Sequence, residues 1–221
     1  MNYHELPSES KTRICCFRES RRVFHARHIL RLPEAQKPPT DDMNLGTLAH
    51  AELLEPGSLE GQFSIRPDEW KDWRTAAAQT WRKEQQAAGK IVVAPGDIAD
   101  LKACVASAVA VAGDWVQHGK VVIEEPIFWT DADSGLQCRC KPDWLIPRSE
   151  EVICFDLKTT DDCSPSAFRR NAASMQYWIQ DVHYSAGVVA KYALPVRFLF
   201  VVVEKAYPFR AAIHEIPKTV E

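Results

Sequence analysis

The residues best suited to chemistry are two carboxylates and an amine. Pro142-Asp143 is followed, after a gap of twelve residues, by Asp156-Leu157-Lys158. In a β-strand residues two apart share a face, so Asp156 and Lys158 point the same way. If the segments carrying Asp143 and Asp156 are hairpin neighbours, both acids and the amine converge at one end of a sheet. Two close carboxylates repel unless a cation lies between them, and hard oxygen donors suit Mg²⁺ or Mn²⁺. A lysine beside such an ion can orient and help deprotonate a water while the ion stabilises charge on a phosphoryl oxygen. This is the chemistry of phosphodiester hydrolysis. The short pattern also permits a plain surface ion pair between Asp156 and Lys158. Against that stands its placement: Asp156 interrupts the apolar run Val152-Ile153-Cys154-Phe155, where an unpaired charge is costly.

Further polar residues fall in line. Glu124 opens the strand-like stretch Glu124-Glu125-Pro126-Ile127-Phe128-Trp129 and is placed to offer a third carboxylate. His50, in Gly46-Thr47-Leu48-Ala49-His50, sits inside a helical segment, where a half-buried structural histidine is the alternative. Gln180 and Tyr184 stand i,i+4 on a long helix and share a face, with Gln176 and Tyr177 extending the stripe. A helix-packing face and the border of a site are both open readings of that stripe.

The elements that must position these groups change character midway. Ser8 to Ile29 reads as one or two arginine-rich helices, and the proline-bearing stretch Arg31 to Asp42 as a linker. Asn44 is placed to cap a helix from Leu45 to Leu54, stopped by Pro56-Gly57; Trp70 to Ala88 reads as a polar helix. Asp97 is placed to cap a helix with apolar residues at Ile98, Leu101, Val105, Val109, Ala112 and Val116. Then come strands over Val121 to Thr130, Leu136 to Ile146 (interrupted near Pro142) and Val152 to Lys158. One long helix follows, from about Pro165 to Lys191, before strands over Val196 to Glu204 and Phe209 to Ile216. The prediction is an α/β core with mixed strand order behind a helical front end. One domain is expected over 1–221, with a basic helical arm at 1–40, a helical part at 41–118 and the αβ core at 119–216.

Composition bounds the partners. An apolar fraction of 46% supports a buried core, and 26% charged residues argue against disorder. The longest nearly uncharged apolar run, Ala103 to Gly113, is about half the length of a membrane span. With no apolar segment near the start, an intracellular, cytoplasmic protein is expected. The seven cysteines include no CxxC or His-rich metal pattern, so free packing thiols are expected. Net charge is −3, yet residues 1–40 carry +4 and the remainder −7. A basic arm on an acidic body fits phosphate contact through one localised surface, with Arg18, Arg21 and Arg22 as candidates, although solvated surface charge explains each as well.

Taken together, Gly46-x-x-x-His50, Glu124 with Ile127-Phe128-Trp129, Cys138-Arg139-Cys140-Lys141-Pro142-Asp143, Asp156-Leu157-Lys158-Thr159-Thr160 and Gln180-Asp181-x-x-Tyr184-Ser185 resemble exonuclease VIII. That is the RecE-type branch of the PD-(D/E)XK nuclease superfamily, distantly related to lambda-type phage exonuclease. The resemblance runs from about Gly46 to Val203, and the opening Tyr3-His4 with Ser8 and Ser10 is similar too. It implies a restriction-endonuclease-like core, a central mixed β-sheet flanked by helices. It implies Asp143, Asp156 and the Leu157 carbonyl as Mg²⁺ ligands, with Mn²⁺ able to substitute, and Glu124 and His50 holding a second ion or its waters. Lys158 would position the nucleophilic water; Gln180 and Tyr184 would line the site. The implied activity is degradation of linear double-stranded DNA from 5′ ends, leaving 3′ single strands for an annealing protein. Homo-oligomeric rings and a bacterial or phage origin are also implied. A structure-specific or restriction-like endonuclease, or a non-catalytic DNA-binding module, are the alternatives.

Overall fold

A nine-residue strand, β7 (Val152–Thr160), forms the centre of the molecule, and its first six residues are all buried. The structure, a computed structural model, describes residues 8–36, 41–54, 61–116 and 120–218. Tyr3-His4, Pro38-Pro39 and Pro56-Gly57 lie outside the described residues, as does the Asn44 side chain. β7 runs antiparallel to β6 (Trp144–Pro147) and parallel to β8 (Val196–Glu204). With β3 (Val122–Ile123) and β9 (Ala211–His214) they form one five-stranded mixed sheet of order β3-β6-β7-β8-β9.

The two faces of that sheet bury different side chains, as strand alternation requires. Ile153, Phe155 and Leu157 face α3 (Asp41–Leu54) and α5 (Asp97–Val116), packing with Leu48, Leu101 and Val105. Val152 and Cys154 face the opposite layer with Phe198, Phe200, Phe168 and Val188. That second layer holds α6 (Pro165–Ser174) and α7 (Tyr177–Tyr192). Full burial of a large apolar side chain contributes roughly 1.5–3 kcal/mol, so this strand can carry one under-compensated carboxylate. The central mixed sheet flanked by helices agrees with the expected α/β class.

Five details differ from the sequence prediction. The helix expected from Leu45 begins at Asp41, inside the stretch read as a linker, so Asn44 lies within its first turn rather than at its cap. The helix expected over Pro165 to Lys191 is two helices, because Gln176 takes a left-handed conformation (φ 55°) between α6 and α7. The first β-segment splits at Glu124-Glu125-Pro126 into β3 and β4 (Ile127–Thr130), and the second splits at Pro142 into β5 (Gln137–Cys140) and β6. β4 and β5 pair as a separate antiparallel hairpin, since proline cannot continue a ladder. The polar helix is shorter than expected, α4 (Ala76–Ala87), and begins where Thr75 accepts a hydrogen bond from the Ala78 amide. The expected helical part also contains a parallel pair, β1 (Phe63–Ile65) with β2 (Ile91–Val93); each strand is three residues, too short to show a period.

Two packing contacts fix the layers near the site. Gly187 on α7 lies so close to β4 that an added Cβ would stand 2.6 Å from Trp129 Cζ3 and 2.9 Å from Cys140 Sγ. At the N-terminus, α1 (Lys11–Glu19) and α2 (Arg21–Phe24) follow an extended stretch in which Glu9 bridges Cys138 and Ser8 accepts a hydrogen bond from the buried Arg139. The seven cysteines are free thiols, and six are buried. Among the described residues no helix is long and apolar enough to cross a membrane.

Candidate active site

The antiparallel register that sets Trp144 opposite Phe155 brings Asp143, one residue earlier, alongside Asp156, one residue later. Both carboxylates are buried, at 7% and 3% exposure. Asp143 Oδ2 accepts a hydrogen bond from the Leu157 amide at 2.7 Å. Its Oδ1 lies 3.3 Å from His50 Nδ1, while His50 Nε2 lies 3.1 Å from the Leu157 carbonyl oxygen. His50 projects from α3 on one side of the sheet edge and ties that helix to both central strands.

Asp156 meets the other half of the site. Its Oδ1 accepts a hydrogen bond from Gln180 Nε2 on α7, and its Oδ2 is ion-paired with Lys158 Nζ. Among the described residues, the buried Oδ2 has no hydrogen-bond donor besides that ammonium. The Lys158 ammonium stands 5.1 Å from the centroid of the Tyr177 ring, a cation–π distance.

The electrostatics follow from burial and neighbours. Burial, joined by the charge of Asp143, raises the Asp156 pKa above the usual carboxylate value despite the opposing pull of Lys158. Burial works to lower the Lys158 pKa, but the Asp156 ion pair and the charge of Asp143 outweigh it and raise it. For His50 burial also lowers, and the hydrogen bond and charge of Asp143 again win, so its pKa is raised.

The donor set fits a hard divalent cation. Mg²⁺ is commonly held by one or two carboxylates with water completing its octahedron. Asp143, Asp156 and the Leu157 carbonyl supply oxygen donors of that kind, and an ion there would relieve the carboxylate repulsion that raises Asp156. Among the described residues no three His, Cys, Asp or Glu side chains form a closed metal-holding group. Water or a substrate oxygen would therefore have to complete the coordination.

Not every expected residue joins this constellation. The Glu124 backbone reaches it, its amide donating to the Asp143 carbonyl at 3.1 Å. The Glu124 carboxylate instead pairs with Lys141 at 2.7 Å, at a residue whose own φ of 46° turns the chain. Tyr184 packs edge-on to Phe198, with centroids 6.0 Å apart, in the second core layer. The aromatic beside the amine is Tyr177, one turn before Gln180. Arg18, Arg21 and Arg22 are exposed; Arg18 lies 4.7 Å over the Trp178 ring and Arg21 5.5 Å over Phe17. Lys11, which sequence reasoning counted only as one charge of the arm, stands 6.0 Å from the Tyr177 centroid. Only the packing of α1 against α7, invisible to local patterns, marks it.

Comparisons with known proteins bear on this arrangement. No curated protein matches the sequence. Among solved structures, one described as a "Putative exonuclease" from Eubacterium rectale aligns with 83% of this chain at 10% identity and a TM-score of 0.49. This chain spans 61% of the length of that protein. The crystal structure of SSO0001 aligns with 80% of this chain and 79% of its own, at 12% identity and a TM-score of 0.30. The family described as "PDDEXK-like domain of unknown function (DUF3799)" matches residues 16–220, which include Asp143, Asp156 and Lys158. The chain belongs to that PDDEXK-like family.

Proposed function

We propose that the protein is a Mg²⁺-dependent deoxyribonuclease acting on the ends of linear double-stranded DNA. The observation that carries the reading is the convergence of Asp143, Asp156 and Lys158 on neighbouring strands, in a chain of the PDDEXK-like family. Mg²⁺, with Mn²⁺ as a substitute, would supply charge stabilisation at the phosphoryl oxygen and a more acidic water. Asp143, Asp156 and the Leu157 carbonyl would hold it. His50 orients Asp143 and the Leu157 peptide from the α3 side, and Gln180 fixes the rotamer of Asp156 from the α7 side.

The raised pKa of Lys158 keeps its proton on Nζ at neutral pH in the geometry seen. Its part is that of a charged donor which orients the attacking water and meets developing negative charge, rather than a free base. Exonucleolytic action with 5′-to-3′ polarity, and delivery of the 3′ strand to an annealing protein, are supported by the motif resemblance to RecE-type enzymes. Assembly into homo-oligomers and a cytoplasmic setting in a bacterium or phage rest on the same resemblance.

Digestion of end-labelled linear duplex with Mg²⁺, beside a covalently closed circle, tests the proposal. Expected are loss of the linear substrate from its 5′ ends, survival of the circle, and no cleavage in chelator. Cutting of the circle would instead make the protein an endonuclease of this fold. Intact linear DNA under all these conditions would remove the catalytic reading.

A further inference from the structure

The active site contains two ammonium groups, and only one is matched by a carboxylate. Lys158 is ion-paired with Asp156. Lys11, the first residue of α1, reaches the same Tyr177 ring, and its Nζ donates to the Met175 carbonyl at 3.1 Å. Among the described residues no Asp or Glu lies within ion-pair distance of Lys11. Burial, its largest perturbation, and the charge of Lys158 lower its pKa, outweighing the opposing pull of Cys15, Asp156 and Glu19. A half-buried cation with no direct ion-pair partner carries a desolvation cost that an arriving anion would recover.

The surroundings say what that anion is. Lys11 and Lys158 both approach the Tyr177 ring, at 6.0 Å and 5.1 Å from its centroid, so Lys11 stands beside the catalytic amine. The Lys158 ammonium over that ring belongs to the chemistry, whereas Lys11 bonds to the Met175 carbonyl and to no catalytic carboxylate. We infer that Lys11 is a positioning residue that binds a phosphate of the strand being cut, flanking the one under attack. This rests on the nuclease reading above and deepens it, because it assigns a substrate contact to the N-terminal helix. α1 would thereby supply one substrate contact beside Tyr177, the ring that both ammonium groups approach.

The competing role is structural: the bond to Met175 merely ties α1 to the left-handed break before α7. Two variants separate the roles. Lys11→Gln keeps a donor for Met175 but removes the charge, whereas Lys11→Arg keeps the charge. Binding of a blunt linear duplex would be measured by fluorescence anisotropy with Ca²⁺ over a salt series, alongside cleavage with Mg²⁺ and thermal unfolding. For Lys11→Gln the expectation is about tenfold weaker binding near 0.1 M salt and a log–log salt slope smaller by about 1. Its unfolding temperature should stay near wild type, its KM for the duplex should rise in step with the weaker binding, and Lys11→Arg should restore affinity and slope.

A Lys11→Gln protein with unchanged affinity and slope would overturn the inference. Equal weakening in Gln and Arg variants, with a lowered unfolding temperature, would do so in favour of the structural role. Failure of the nuclease reading looks different: wild type then binds DNA without cutting it, while the salt slope still decides whether Lys11 meets a phosphate. A wild type that does not bind DNA at all overturns both.

Discussion

Asp143 and Leu157, fourteen residues apart in sequence, share a 2.7 Å hydrogen bond in which the Leu157 amide donates to Oδ2 of Asp143. One carboxylate thus secures the two central strands at the level of the site. Its second oxygen faces His50, so the same side chain joins the sheet to α3.

This dual role predicts a separation between two variants. Asp143→Asn retains an acceptor for the Leu157 amide and should fold with near-native stability while losing cleavage. Asp143→Leu leaves the amide and His50 without their partner, at a cost of about 1–3 kcal/mol. Chemical denaturation of both, beside an end-labelled duplex assay, checks the pair; full activity of the Asn variant would disprove the role of Asp143.

Lys158→Gln tests the amine. Removing a positioned charged donor should lower the rate of the chemical step by about 10²-fold or more, with DNA affinity in Ca²⁺ largely kept. Single-turnover cleavage against equilibrium binding separates the two effects.

The pH dependence of stability should report His50. Both its ring nitrogens face oxygen acceptors, Asp143 Oδ1 and the Leu157 carbonyl, an arrangement that the doubly protonated imidazolium satisfies best. Its folded pKa is raised above 6.5, so the stability it contributes is fully present below 6.5 and is lost as pH rises through the higher folded value. In chelator, the unfolding temperature of wild type minus that of His50→Gln should therefore shrink with increasing pH over that interval. A difference that grows with pH would contradict the site electrostatics.

Gly187→Ala probes the seating of α7. The new methyl would meet the Trp129 ring at 2.6 Å, closer than van der Waals contact allows. The helix or the β4–β5 hairpin must shift, at a cost of about 1–3 kcal/mol. Because Gln180 rides on the same helix, Mg²⁺-dependent cleavage should fall as well, measured beside the unfolding temperature.

Much of this site was legible in the sequence because its parts lie on strong local patterns. The apolar run through Phe155 marks a central strand, and Asp156 stands out as the charge within it. Gln180 was legible as part of a helical stripe, yet Tyr184, one turn further on, faces Phe198 rather than the acids. The i,i+4 rule gives a common face but not where along the helix the sheet edge lies. Glu124 shows a second limit: its ion pair with Lys141 depends on how the chain turns at φ 46°, which no residue type there announces. The split of the β-segments at Pro126 and Pro142 was half visible, for the prolines mark the breaks but not the two different sheets that result. Lys11 was not legible at all, since its place beside Tyr177 depends on a tertiary contact spanning most of the chain.

The left-handed turn at Gln176 has a consequence for how this chain can diverge. A continuous rod from Pro165 onward would couple every residue of α6 to the rotation of Gln180 about the axis. The interruption uncouples them, since α7 takes its angular setting from Gly187 against Trp129 and from its own seat on the sheet. New side chains on the exposed face of α6 can thus accumulate without swinging the glutamine away from its carboxylate, whereas Ala167 and Phe168, buried on its inner face, cannot vary so freely.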